Sequence, residues 1–168
     1  MTGQDAAANS FWRFSLMLYS RPGVADALIR LQDERGHNVN LILFGLWLGL
    51  GKAAFLDEAG LARAKAAIAP FEREVVAPLR RLRRQLKDRP DADIRELRRR
   101  ILALEIEAER RAQARLAANV PARRAEGDRH AIAEANLRLI LGADFGSPDA
   151  ELVRRAMILR AGHAAGAV

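Results

Sequence analysis

The sequence predicts an all-α protein: a single-domain bundle of about six or seven helices, with a central apolar helix and a coiled-coil-like antiparallel helical hairpin. Three observations lead there. Ala, Leu, Arg and Glu dominate, and these are strong helix formers; Thr and Tyr, which favour pleated surfaces, occur once each. Apolar residues recur at helical spacing nearly throughout, and Ser, Asp, Asn, Pro and Gly fall where helices start and stop. At 168 residues, half of them hydrophobic and 29% charged, the chain is globular in composition and long enough for one core.

The first helix is expected from Phe11 to about Tyr19, capped by Ser10, with residues 1–9 a disordered tail. Phe11, Phe14 and Leu18 share one face and Trp12, Leu16 and Tyr19 the other, so the helix reads as buried on most sides. Arg21-Pro22-Gly23 breaks the chain, and a second helix covers Val24–Arg35 until Gly36 stops it. Asn38 caps the third, Val39 to about Lys52, which is apolar all round and therefore central. Gly45 and Gly49 leave one of its stripes bare, letting a neighbouring helix approach closely.

Asp57 caps a helix through Ile68, with a restart expected at Pro70 and a kink or restart at Pro78. Val75, Leu79, Leu82 and Leu86 are spaced 4-3-4, and Ile94, Leu97, Ile101 and Leu104 are spaced 3-4-3. Those two narrow stripes form the hairpin, joined by the loop Asp88–Asp93. The core so delimited is 10–118, hairpin included; 119–127 reads as a linker and 128–161 as a C-terminal helical pair. Within that pair a helix runs from about Asp128 to Leu141 and ends at Gly142. The last opens on Ser147-Pro148-Asp149, continues to about Arg160, and frays beyond it.

Function is much less legible. The chain has no cysteine, which removes disulfides, thiolate metal sites and cysteine nucleophiles. No glycine-rich phosphate loop or nucleophile elbow occurs, and no cofactor is expected. The longest nearly unbroken apolar run, Val39–Leu50, is too short to cross a hydrocarbon core of about 30 Å. Met1–Ser10 lacks the apolar core of a signal peptide, so a bacterial-type cytoplasmic protein is expected.

Two regions hold candidate sites. Between two apolar helices, Gln32, Asp33, Glu34, His37, Asn38 and Asn40 crowd together, and Tyr19 is near enough to join them. Asn40 sits inside the apolar run, so its amide must be hydrogen-bonded or cost roughly 1–3 kcal/mol. These groups either converge on a small polar ligand or cap two helix ends; the second reading is the simpler. Glu34-x-x-His37 has the spacing of a di-iron carboxylate–histidine pair, with His130 and Glu134 as distant company, but one pair falls short of such a site and no metal is expected.

The second region is basic. Arg80, Arg81, Arg83, Arg84 and Lys87, then Arg95, Arg98 and Arg99, cover what the leucine stripe makes the outside of the hairpin. Such a face suits an anion or a partner protein, although a solvated face with glutamate partners at helical spacing is the simpler reading. The formal charge of +7 adds a nucleic-acid reading, which is less favoured: no aromatic interleaves the arginines, and only three of 28 basic residues are lysine. Glu105, Glu107 and Glu109 read as a solvated face.

One resemblance adds to this. Phe11-Trp12-Arg13-Phe14-Ser15-Leu16 through Tyr19, Pro22-Gly23-Val24, Leu31-Gln32-Asp33, Gly36, Val39-Asn40-Leu41, Leu43-Phe44, Trp47-Leu48 and Pro78-Leu79-Arg80-Arg81-Leu82-Arg83 together resemble an uncharacterised proteobacterial family, domain of unknown function 2390. The likeness spans roughly residues 10–115 and implies a small bacterial protein with no assigned activity, so it supplies no catalytic residue. The expectation is a non-enzymatic interaction module whose protein partner docks on the arginine-rich hairpin or on an exposed apolar groove; the oligomeric state is left open.

Overall fold

The structure, a computed structural model, describes residues 3–119 and 123–158. Its helices are α1 (Gly3–Tyr19), α2 (Val24–Asp33), α3 (Val39–Lys52), α4 (Glu58–Phe71), α5 (Ala77–Gln85), α6 (Ala92–Asn119), α7 (Arg129–Leu141) and α8 (Pro148–Ile158). A π-helical segment, Glu72–Val76, joins α4 to α5 without a break, so the described residues form seven helical rods. The protein is an all-α bundle.

Central α3 fulfils its composition: every residue from Val39 to Gly49 is buried. Asn38 caps it by accepting from the Leu41 amide, and Asp57 caps α4 by accepting from Gly60. The bare Gly45–Gly49 stripe faces α7, where a Cβ on Gly49 would collide with the backbone of Ala133. Phe11, Phe44 and Trp47 cluster beside it, with ring centroids 5.1–5.9 Å apart. Asn136 is fully buried on α7 and uses its whole amide. It donates to the carbonyls of Gly45 and Ala54 and accepts from the Leu56 amide.

Several expectations need correcting. The first helix starts at Gly3, so the described part of the stretch read as a tail is helical. Ser10 is no cap; its hydroxyl accepts from the Trp47 indole at 3.4 Å. The second helix ends at Asp33, two residues early, with Gly36 at φ +74 closing the turn. Pro70 does not restart a helix but lies inside α4 on its exposed side. Within the stretch read as a linker, Arg123–Arg124 pair antiparallel with Ala54–Phe55, in register Ala54 to Arg124. We label these two-residue strands β1 (Ala54–Phe55) and β2 (Arg123–Arg124). The C-terminal pair follows the punctuation: Asp128 caps α7, Gly142 ends it, and Ser147 caps α8. The expected end near Arg160 and the tail beyond it lie outside the described residues.

The hairpin pairs α5 with α6 as expected, but on different stripes. Inward positions along α4 are Leu61, Ala64 and Ile68, and a continuous α-helix would carry that stripe on to Val75, Leu79 and Leu82. The π segment inserts one residue, with the Ala77 amide bonding the carbonyl of Glu72 five residues back. One residue turns a helix by about 100°, so the inward stripe becomes Val76, Arg80 and Arg83. Leu82 is left 43% exposed. On α6 the buried stripe is Ile101, Glu105, Ala108, Ala112 and Leu116, and Leu97 and Leu104 face solvent.

Candidate functional site

Turning Arg80 and Arg83 inward builds a charged cluster under the bundle surface. Arg80 bonds Glu109 through Nη2, lies 3.6 Å from Glu105 through Nε, and 3.5 Å from Glu72 through Nη1. Arg83 donates to both oxygens of Glu105, at 3.1 Å through Nη2. Glu105 is only 6% exposed and Glu109 half-buried, so two of the three glutamates read as a solvated face are the partners of these arginines, while Glu107 is exposed as expected.

The amide network continues from there. Asn40 donates to the second oxygen of Glu109, and Gln113 donates to Asn40 Oδ1 at 3.1 Å. Ser15 Oγ lies 3.0 Å from Gln113 Oε1 and 3.1 Å from the carbonyl of Phe11, its one proton serving either acceptor. The buried amide expected at Asn40 is therefore satisfied, but by residues about 70 positions away in sequence rather than by its neighbours.

Above this floor lies a groove of about 390 Å³. Trp12, Leu16 and Tyr19 of α1 form one wall, Leu102 and Ile106 of α6 the other, and Ile29 and Gln32 of α2 close one end. Arg83 and Arg84 lie along the α5 edge. The α1 face expected to be buried is thus open, with Leu16 52% exposed. Tyr19 stands among carboxylates: loss of solvent, then Glu109 and Glu105, push its phenol up to about 12 against the opposing effect of Arg80.

The polar residues between α2 and α3 do not converge on one point. Gln32 and Asn40 line the groove with Tyr19; Asp33 stands outside it, accepting from Arg84 at 2.8 and 2.9 Å and from Gln32 at 3.1 Å. His37 and Asn38 line a separate hollow of about 390 Å³ with Lys65 and Glu72. There His37 pairs with Asp144 at 2.9 Å, and Arg35 shares the same carboxylate. Glu34 is exposed at the C-terminal end of α2. His130 lies beside Asp128, while Glu134 holds Arg154. Among the described residues, no three or more His, Asp or Glu side chains gather as metal ligands.

One member of the cluster, Glu72, carries electrostatic strain. Glu72 Oε2 is buried without a hydrogen-bond partner, and burial followed by repulsion from Glu109 pushes the Glu72 carboxyl above its ordinary 4.5. Asp33 and Asp144 go the other way: at Asp33 desolvation is outweighed by hydrogen bonds from Arg84 and Gln32 together with the charges of Arg84 and Arg80, and at Asp144 the hydrogen bonds from His37 and Arg35 dominate.

The basic face divides. Arg80 and Arg83 are occupied internally, Arg84 bridges to Asp33, and Arg98 donates to the carbonyl of Arg83 at 3.3 Å. Arg95 donates to the carbonyl of Pro90, Arg99 pairs with Glu96, and Arg81 and Lys87 are exposed. Ser15, Glu72, Glu105, Glu109 and Gln113 were not legible as site residues. The one available signal was Gln113 and the glutamates spaced four apart on the buried side of α6.

Fold and site define an all-α bundle carrying an open apolar groove over a self-satisfied polar floor. Residues 10–116 match the model of the family described as Protein of unknown function (DUF2390), and the chain belongs to that family. Neither a curated protein nor a solved structure matches it. No helix among the described residues is long and apolar enough to cross a membrane.

Proposed function

We propose that this chain is a bacterial, cytoplasmic, non-enzymatic interaction module, and that its partner protein docks in the groove between α1, α2 and α6. One observation carries the reading. Of ten large hydrophobic side chains exposed among the described residues, five (Leu16, Tyr19, Ile29, Leu102 and Ile106) line this one groove. Scattered apolar residues need no explanation, but a contiguous set with polar edges marks an interaction site. The phosphate-binding reading is weaker than the sequence made it, because Arg80 and Arg83 are neutralised beneath the surface.

Photo-cross-linking in living cells tests the proposal. A benzophenone amino acid at Leu16 or Ile106 is expected to trap a discrete protein adduct, and the same group at Leu104, exposed outside the groove, is expected to trap none. Absence of groove adducts, or identical adducts from Leu104, would overturn it.

A further inference from the structure

Resting on that docking reading, we infer that the groove's occupant is an acidic amphipathic α-helix of a partner protein. The first argument is shape. Both long walls are single helix faces: Trp12, Leu16 and Tyr19 stand at i, i+4 and i+7, and Leu102 and Ile106 stand at i and i+4. From Trp12 to Tyr19 the slot is about 10 Å long at 1.5 Å per residue, the length of two helical turns. A helix presenting apolar side chains at i, i+3, i+4 and i+7 meets both walls.

The second argument is hydrogen bonding. Ser15, Asn40, Glu109 and Gln113 bond one another and Arg80, so each of these floor residues already has a partner within the protein. An extended peptide or loop lying here would bury backbone N–H and C=O groups without partners. A helix satisfies its own backbone and asks nothing of the floor.

The third is charge. Glu105 and Glu109 lie beneath the surface, paired to guanidiniums, whereas Arg84 reaches solvent at the groove edge with its side chain 46% exposed. Asp33 offsets Arg84 in part, and Arg81 and Lys87, exposed on the same hairpin outside the groove lining, add to the positive field around it. A second copy of the chain would bring +7 against +7. An acidic helix is complementary, and its charges would steer encounter.

The test is selection of a displayed library of random 16-residue peptides on the full chain, with counter-selection on Leu16→Glu, a change at an exposed position that blocks the slot. Binders are expected to be net negative, to carry apolar residues at helical spacing, and to gain helical circular dichroism on binding. Their affinity is expected to fall at least tenfold with Arg84→Glu and to weaken as NaCl rises. Binders that are basic, binders without helical periodicity, or no binder sensitive to Leu16→Glu would each overturn the inference. If cross-linking from Leu16 still traps a partner in that case, the docking reading stands and only the acidic helix falls. If it traps none, both fall.

Discussion

At the scale of single residues, the chain is informative where an apolar run contains one polar group. Asn40 bridges Glu109 and Gln113, so Asn40→Leu removes one buried hydrogen bond from each and is expected to lower stability by about 1–3 kcal/mol in urea unfolding. A neutral or stabilising result would mean that the network is not formed. Tyr19 offers a cleaner probe because it is the one tyrosine. Absorbance at 295 nm is expected to titrate near pH 12 in the folded protein and near 10.0 in denaturant. The sign follows: a phenol whose folded pKa is raised keeps its full stability below pH 10.0 and loses it as pH rises towards 12. Gly49→Ala places a methyl against the Ala133 backbone, which cannot move alone, and is expected to cost about 1–3 kcal/mol. Gly45→Ala meets the Ile140 Cδ1 methyl, a movable side-chain end, and is expected to cost less by the same measurement.

Among the elements, the π segment decides most about the site. Read as an unbroken helix, the run from Asp57 to Leu86 turns its leucines inward and its arginines out. One inserted residue turns Arg80 and Arg83 inward and leaves Leu82 exposed, and it leaves no signature in hydrophobic periodicity beyond a stripe that fails to continue the previous one. The register is directly testable by thermal and urea unfolding. Arg80→Ala leaves Glu109 and Glu72 without their guanidinium, while Glu105 keeps Arg83, and is expected to cost about 3 kcal/mol or more. Arg81→Ala, exposed next door, is expected to stay within about 0.5 kcal/mol. The opposite ranking would place α5 in the register that the leucines suggest. Glu105 and Glu109 were misread for the same reason, while Glu107 is exposed as expected: a charged residue at a buried position looks solvated until its partner is known, and here the partners come from α5.

Across the whole molecule, exposed ion pairs tie the elements together: Arg30 to Asp149, Arg84 to Asp33, Arg35 and His37 to Asp144, and Arg154 to Glu134. Pairs of this kind are individually weak and screened by salt, so Tm is expected to move little on adding NaCl. Acid is different. Asp33 and Asp144 have folded pKa values below the ordinary 3.8, so their contribution is complete above that pH and is lost as pH falls through the lowered values. Glu72 has the opposite sign: its raised pKa makes the ionised form a burden that grows as pH rises above 4.5. Glu72→Gln is therefore expected to raise Tm at pH 7 and to leave it little changed at pH 4; a lower Tm at pH 7 would show that the Arg80 contact outweighs burial.

By itself the sequence determined the helical class, the central place of α3, the caps at Asn38, Asp57 and Ser147, and the stops at Gly36 and Gly142. These are local properties, fixed by side chains within four residues of the backbone they act on. Tertiary structure alone decided which face of each helix is used. Trp12, Leu16 and Tyr19 were legible as apolar, yet whether a neighbour covers them depends on where α6 lies. The pairing of Arg80 with Glu109 and of Asn40 with Gln113 likewise joins residues 29 and 73 positions apart. Periodicity describes one helix at a time, whereas a groove is made by the space between helices.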